Sequence, residues 1–205
     1  MDTKKSYVIA VSGVARVGKN LFASSLIRVL NEAGIETREY SFAKELKKEV
    51  NPLTLLNLGI SAFTENDEEK VIIRPLLLCW GTDVWRKLDE NHWVKKVEDV
   101  IENSETPHIA VVTDARFENE CLWAQRNGFV FHIEKLKDGK VLPPNNKDEE
   151  KNDPIVKNLA NYKHTWTTFG DDHVNLGYYN VRELVNSLFS DQIPTWQKDF
   201  PRNKI

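Results

Sequence analysis

Cysteine is scarce in this chain of 205 residues. Cys79 and Cys121, the only two, sit in apolar helical contexts and suggest neither a disulfide framework nor a thiolate zinc site. A reducing cytoplasm suits them. Long hydrophobic runs are missing too: no stretch approaches the roughly 18 apolar residues needed to span a bilayer. The opening Met1-Asp2-Thr3-Lys4-Lys5 lacks the apolar run of a signal peptide. The expected location is therefore the cytoplasm, with no membrane partner. Neither charge sign dominates, and a formal net charge of −3 argues against a large, non-specific grip on nucleic acid while leaving room for a local basic pocket. There is no internal repeat. Among the histidines, His92, His132 and His164 form no pair with metal-ligand spacing.

What is present fits a soluble enzyme. With 40% hydrophobic and 29% charged residues, the chain can bury one sizeable core, so residues 1–205 read as a single domain. Its most informative segment is Gly13-Val14-Ala15-Arg16-Val17-Gly18-Lys19-Asn20, which fits the phosphate-cradling pattern G-x-x-x-x-G-K with an amide where a hydroxyl is usual. Tyr7 to Val11 before it reads as a buried strand, and Phe22, Leu26 and Val29 after it recur at helical spacing. Such a loop wraps N–H groups around the β-phosphate of a nucleoside triphosphate at a helix N-terminus, and Lys19 would reach its β- and γ-oxygens. The expected cofactors are ATP and Mg2+.

Strand and helix patterns alternate along the chain, which predicts an α/β fold with a mainly parallel sheet. Strands are expected at Glu36 to Ser41, His108 to Thr113 and Phe129 to Ile133, and Gly34 stops the first helix. A helical region begins near Ala43, broken around Asn51-Pro52. Another helix runs from about His92, a third carries Phe117, Cys121 and Ala124, and a last one opens at the Asn180/Glu183 pair. Between Lys135 and His164 the composition turns to Lys, Asp, Glu, Asn and Pro. This reads as a mobile insertion, either a solvated loop or a lid closing over phosphates, and its place after a core strand favours the lid. Lys135, Lys137 and Lys140 could supply its charge. The tail from Ile193 reads as a loosely packed extension.

Two further constellations narrow the chemistry. Asp114 and Arg116 end an apolar strand, where a carboxylate can hold magnesium or its water shell and a guanidinium can contact a phosphoryl group. Arg74 and Arg86 flank a helical stripe containing Asp83, readable either as a core helix with solvated charges or as a second phosphate pocket. In that pocket the arginines would hold an acceptor monophosphate and Asp83 would orient its sugar or base. Among the aromatic residues, Trp93 and Trp123 lie on apolar stripes, whereas Phe42 and Trp166 are expected at loops where a nucleobase could stack.

The order of these motifs resembles that of the phage deoxynucleoside monophosphate kinases. The segment from Arg74 through Gly81-Thr82-Asp83, with Trp93-Val94, is similar to their R-x-L-L-x-x-x-G-T-D and W-V elements. Their phosphate loop resembles Gly13 to Asn20, their D-x-R-x-x-x-E resembles Asp114 to Glu120, and their A-x-x-[LI]-K is matched by Ala43 to Lys47. The resemblance, from about Val8 to Leu188, implies a three-layer P-loop nucleotide-kinase fold with an acceptor-binding helical region about 43–90 and a lid about 135–164. It implies transfer of the ATP γ-phosphoryl to a deoxynucleoside monophosphate, in the host cytoplasm if phage-encoded. Lys19 would stabilise the transferring phosphate, with Arg74, Arg86 and Arg116 along the route, Lys47 a lesser substrate contact, and Asn20 with Asp114 at the metal. The chain departs from the family after the lid, where Thr167 stands in place of a glutamate, and before it, where Lys135 and Lys137 stand near an expected arginine. Those departures keep open a kinase acting on a hydroxyl of a modified base, free or in DNA. A nucleotide-binding regulatory protein without turnover is a third reading. Homodimerisation is left open.

Overall fold

The computed structural model describes residues 6–167 and 172–202; the opening Met1-Asp2-Thr3-Lys4-Lys5 lies outside the described residues. In chain order the elements are β1 (Ser6–Ser12), α1 (Lys19–Glu32), β2 (Thr37–Tyr40), α2 (Phe42–Leu58), α3 (Asp67–Leu78), a π-helix (Cys79–Arg86) and α4 (His92–Glu102). Then follow β3 (His108–Ala115), α5 (Glu118–Asn127), β4 (Gly128–Lys137), β5 (Lys140–Val141), α6 (Lys147–Leu159), β6 (Tyr162–Thr167), α7 (His173–Phe189) and α8 (Ile193–Asp199). They form two compact units, one of Met1–Tyr40 with Ile101–Ile205 and one of Ser41–Val100.

The first unit is an α/β layer structure, as the alternating pattern predicts. Its strands run β2-β3-β1-β4, and β4 also pairs with β6 and, at its end, with β5. Every pairing is parallel except the β4–β5 hairpin. Val8 to Ser12 and His108 to Thr113 are buried throughout, the near-continuous run that a strand covered on both faces requires. Helices flank the sheet. α1 packs on α7 and β3, while α5 packs on β1, β4 and α6. Phe22 is fully buried on α1, 5.0 Å from the Phe131 ring, in a core that also takes Leu26, Val181, Val185 and Phe189. Because the chain leaves β1 for β2 on one side and later places β4 on the other, the C-terminal end of β1 is the switch point where such sheets bind ligands. The phosphate-loop sequence begins there.

The second unit is helical. Ser41 caps α2 by accepting from the Lys44 N–H at 3.2 Å, and Asn66 caps α3. Glu49 Oε1 accepts from the indole N–H groups of both Trp80 (2.9 Å) and Trp85 (2.7 Å), joining α2 to the π-helix. Burial would raise the Glu49 pKa, yet the two indoles, with Lys96 and His92, hold it below the usual carboxylate range. Trp85 stacks on His92 at 3.9 Å. A Cβ on Gly81 would stand 2.9 Å from Leu46, and the Gly81 carbonyl receives the Trp93 N–H at 3.0 Å.

Several expectations are corrected. Helix α2 runs through Asn51-Pro52 without a break: the Pro52 ring is exposed, and Val50 and Thr54 stay buried on either side of it. Helix α7 starts at His173 rather than Asn180, because Gly177 and Tyr178 are already packed on α1 and tertiary burial outweighs the capping signal. Residues 135–164, read as a solvated loop or a lid, carry the end of β4, β5, α6 and the start of β6. The tail is not loose. Trp196 and Phe200 are buried in the core, and Ile35 bridges Pro201.

Candidate functional site

The turn between β1 and α1 is built by residues that cannot be exchanged freely. Gly13 has φ +133, and a Cβ there would stand 2.3 Å from the Ile133 carbonyl oxygen of the neighbouring strand. Gly18, at φ +90, lies against the Trp166 ring, where a Cβ would meet Cζ2 at 2.6 Å. Between them Arg16 adopts φ +67, an uncommon left-handed conformation for a side-chain-bearing residue. Alternation of left- and right-handed residues turns successive N–H groups into one concavity, an anion-binding nest. The nest holds a negative group in this structure: the Ala15 N–H donates to Glu149 Oε1 at 3.1 Å.

Lys19, the first residue of α1, is 8% exposed and folds back on the loop, its Nζ donating to the carbonyls of Gly13 and Val14, each at 2.8 Å. Burial first, and then the charge of Arg116, lower its pKa to about 8 against the pull of Glu149, Asp114 and Asp153. Five charged groups from the loop, β3 and α6 therefore share one electrostatic neighbourhood. Asp114 and Arg116 arrive there because β3 pairs with β1 in a register that sets Ser12 opposite Ala115. Arg116 is exposed and Asp114 half-buried. Glu120, buried on α5, accepts from the backbone N–H groups of Arg116 (2.7 Å) and Phe117 (3.0 Å), and so fixes the turn that carries the guanidinium.

Beneath the loop lies a buried polar row. Ser12 Oγ donates to the Phe131 carbonyl at 3.0 Å, so the 3.2 Å contact with His132 Nδ1 must be donated by the imidazole. His132 Nε2 then faces Asp153 Oδ1 with a lone pair at 3.8 Å, too far for a hydrogen bond. Burial pulls His132 down to about 4 and pushes Asp153 up, so this is no ion pair at neutral pH. Neither this row nor the Glu149 contact is visible to motif reasoning. The only local hint is Asn146 followed three residues later by Glu149, a capping pattern.

The stacking assignments change. Trp166 lies on β6 and not in a loop; it is 4% exposed, and its indole N–H donates to the Val17 carbonyl at 2.6 Å, under the phosphate loop. Phe42 is the first residue of α2 and is 5% exposed. Trp166 is drawn inward against Phe22, the two ring centroids 6.1 Å apart. The remaining acceptor candidates all belong to the helical unit. Lys47 is half-buried on α2, its Nζ 5.8 Å from the Phe63 ring centroid. Arg74 is exposed on α3, Arg86 half-buried at the end of the π-helix, and Asp83 exposed and paired with Lys87 at 3.0 Å.

For a polyphosphate the loop fits: its glycines cannot carry side chains, its Ala15 N–H already binds a carboxylate, and a buried cation stands beside it. For magnesium the donor set is one carboxylate, Asp114, and one amide, Asn20, which is exposed in the first turn of α1. Among the described residues no group of three or more His, Cys, Asp or Glu could hold a metal alone, so phosphate oxygens and water would complete the shell. No helix of the described residues is long and apolar enough to cross a membrane.

No protein-family model and no curated protein matches the sequence. Among solved structures, the chain is similar to shikimate kinase from Aquifex aeolicus vf5, with 18% identity and a TM-score of 0.41 over 88% of this chain and 98% of that one. It is similar to dephospho-CoA kinase from Campylobacter jejuni, with 16% identity and a TM-score of 0.43 over 89% and 98%. The TT1252 structure from Thermus thermophilus gives 11% identity and a TM-score of 0.46 over 91% and 98%.

Proposed function

We propose that the protein is an ATP- and Mg2+-dependent phosphotransferase whose acceptor is a deoxynucleoside 5′-monophosphate. The observation that carries this reading is the nest at Gly13 to Lys19, which holds a carboxylate on the Ala15 N–H beside a buried lysine. Binding alone would need no more than that loop. Turnover needs positive charge placed where the γ-phosphoryl leaves its β-oxygen and bonds to the acceptor oxygen; Lys19 and Arg116 would supply it directly, and Asp114 through the magnesium it would hold. Magnesium, held by Asp114 and Asn20 with the phosphates, would neutralise part of the triphosphate. Lys19 would exchange its two carbonyl partners for phosphate oxygens. The acceptor assignment rests on the order of the Arg74, Asp83 and Arg86 motif with the loop, in which two guanidinium groups and a carboxylate suit a phosphate and a sugar or base.

The test is an assay of ADP and phosphorylated product with ATP, magnesium and a panel of deoxynucleoside monophosphates, followed by duplex DNA carrying hydroxylated bases. Turnover on at least one monophosphate, abolished by Lys19→Ala, is the expected result. Product on DNA alone would move the acceptor to a modified base. No turnover with any acceptor, despite ATP binding, would leave a nucleotide-binding regulator and end the kinase reading.

A further inference from the structure

Helix α6 carries a carboxylate to the one place where a phosphate must go. Glu149 Oε1 accepts the Ala15 N–H, and its other oxygen, Oε2, accepts the Asn145 N–H at 2.9 Å. The Glu149 N–H donates to Asn146 Oδ1 at 2.9 Å, so the first turn of α6 is cross-linked with the segment before it and moves as one piece. A single N–H serves one strong acceptor, and a carboxylate cannot share a nest with a polyphosphate that carries several negative charges. We propose that Glu149 is a built-in competitor for the donor site, an anion seated on the phosphate loop that the incoming nucleotide has to displace. This rests on the reading of Gly13 to Lys19 as the ATP site.

The two ends of α6 are held unequally, which allows the displacement. Residues 145–148 are exposed and Glu149 is half-buried, so no apolar contact seals the first turn. Further along, Val156 is 1% exposed, Lys157 pairs with Glu134, and the Leu159 carbonyl accepts from Gln125 Nε2. Pro154 separates these halves. It has no N–H to return to the Glu150 carbonyl, so the helical ladder is interrupted between the turn that must swing out and the turns anchored to the sheet. Residues 145–153 can then leave the loop while β4 and β6 keep their register. Lys19 loses two of its attracting carboxylates, Glu149 and Asp153, in that step and gains phosphate oxygens in return.

A plain helix cap would explain the bonds to Asn145 and Asn146 but not the one to Ala15, 134 residues away. Isothermal titration of the full chain with ATP and magnesium separates the two, using Glu149→Gln, which keeps size and acceptor, and Glu149→Ala, which removes both. A competitor predicts tighter ATP binding in both variants, roughly tenfold for Glu149→Ala, the equivalent of about 1.4 kcal/mol and in the range of one charge-assisted hydrogen bond. Should the alanine variant not fold, Glu149→Gln decides alone. Unchanged or weaker binding in the variants, with wild-type protein still binding ATP, overturns the competitor and leaves the phosphate loop standing. Absence of ATP binding in wild type and variants alike overturns both.

Discussion

The indole N–H of Trp166 donates to the carbonyl of Val17 at 2.6 Å, and the same ring covers Gly18. A tryptophan on β6 thus sets the floor of the loop between β1 and α1. Trp166→Phe keeps most of the ring and deletes the donor, which leaves a buried carbonyl unpaired at a cost of about 1–3 kcal/mol. Urea unfolding should show that loss, and ATP titration should show several-fold weaker binding. Unaltered ATP affinity in a destabilised variant would reduce Trp166 to a packing residue.

Lys19 gives ATP affinity a pH dependence. Its pKa is about 8, below that of an ordinary lysine, because burial and Arg116 disfavour the cation. Below pH 8 the side chain is charged and attracts phosphate; above it the charge is lost unless the ligand restores it. ATP affinity should fall as pH rises past about 8, approaching tenfold per unit, and Lys19→Met should bind weakly with no such inflection. A wild-type affinity flat from pH 7 to 9.5 would contradict the assignment.

Gly13 and Gly34 provide an internal comparison. Both have positive φ, but a Cβ at Gly34 meets nothing within 4 Å, whereas at Gly13 it meets the Ile133 oxygen at 2.3 Å. Gly34→Ala should cost about 1–2 kcal/mol from conformation alone. Gly13→Ala should cost several kcal/mol more than that, or unfold the chain, because two neighbouring strands would have to separate. Equal thermal melting of the two variants would mean that the loop yields where the strand does not.

Acid should act through His132. Its folded pKa of about 4 lies below the unfolded value near 6.5, chiefly through burial, so the unfolded chain binds the extra proton between those limits. Stability from this residue is therefore complete above pH 6.5 and is lost as pH falls toward 4, at up to about 1.4 kcal/mol per unit. Asp153, whose pKa burial raises, has the opposite sign and offsets part of it. His132→Asn retains a donor for Ser12 without the titration. Denaturant midpoints at pH 6.5 and 5 should move closer together in that variant.

Most of the first unit was legible because its strands are covered on both faces. Val8 to Val11 and Ile109 to Val112 are apolar at every position, and Gly13 to Lys19 is punctuated by glycines whose need is local. What was not legible depends on contacts across the chain. β6 reads as Tyr-Lys-His-Thr-Trp-Thr, with Trp166 alone fully buried, so it lacks the pattern of a core strand. α6 is mostly polar and turns only Val156 fully inward; beyond the Asn146/Glu149 capping pattern, nothing local tells its acids from those of a solvated loop. Trp166 reads as a stacking ring at a loop for the same reason: the carbonyl it serves lies 149 positions away. Glu49 is one acid among many until Trp80 and Trp85 are seen to converge on it.

The buried tail changes where the chain can be cut. Trp196 and Phe200 lie beside Tyr7, Phe129 and Phe189, with the Trp196 ring 5.8 Å from Tyr7 and 5.3 Å from Phe189. The Glu36 N–H donates to the Phe200 carbonyl at 2.8 Å, so the stretch leading into β2 is clasped by residues that arrive only when the last helix is made. During synthesis the sheet stays open on that side until residues 196–200 have left the ribosome. A shortened protein ending at α7 would carry that unfinished side permanently, as a sticky seam rather than a trimmed end.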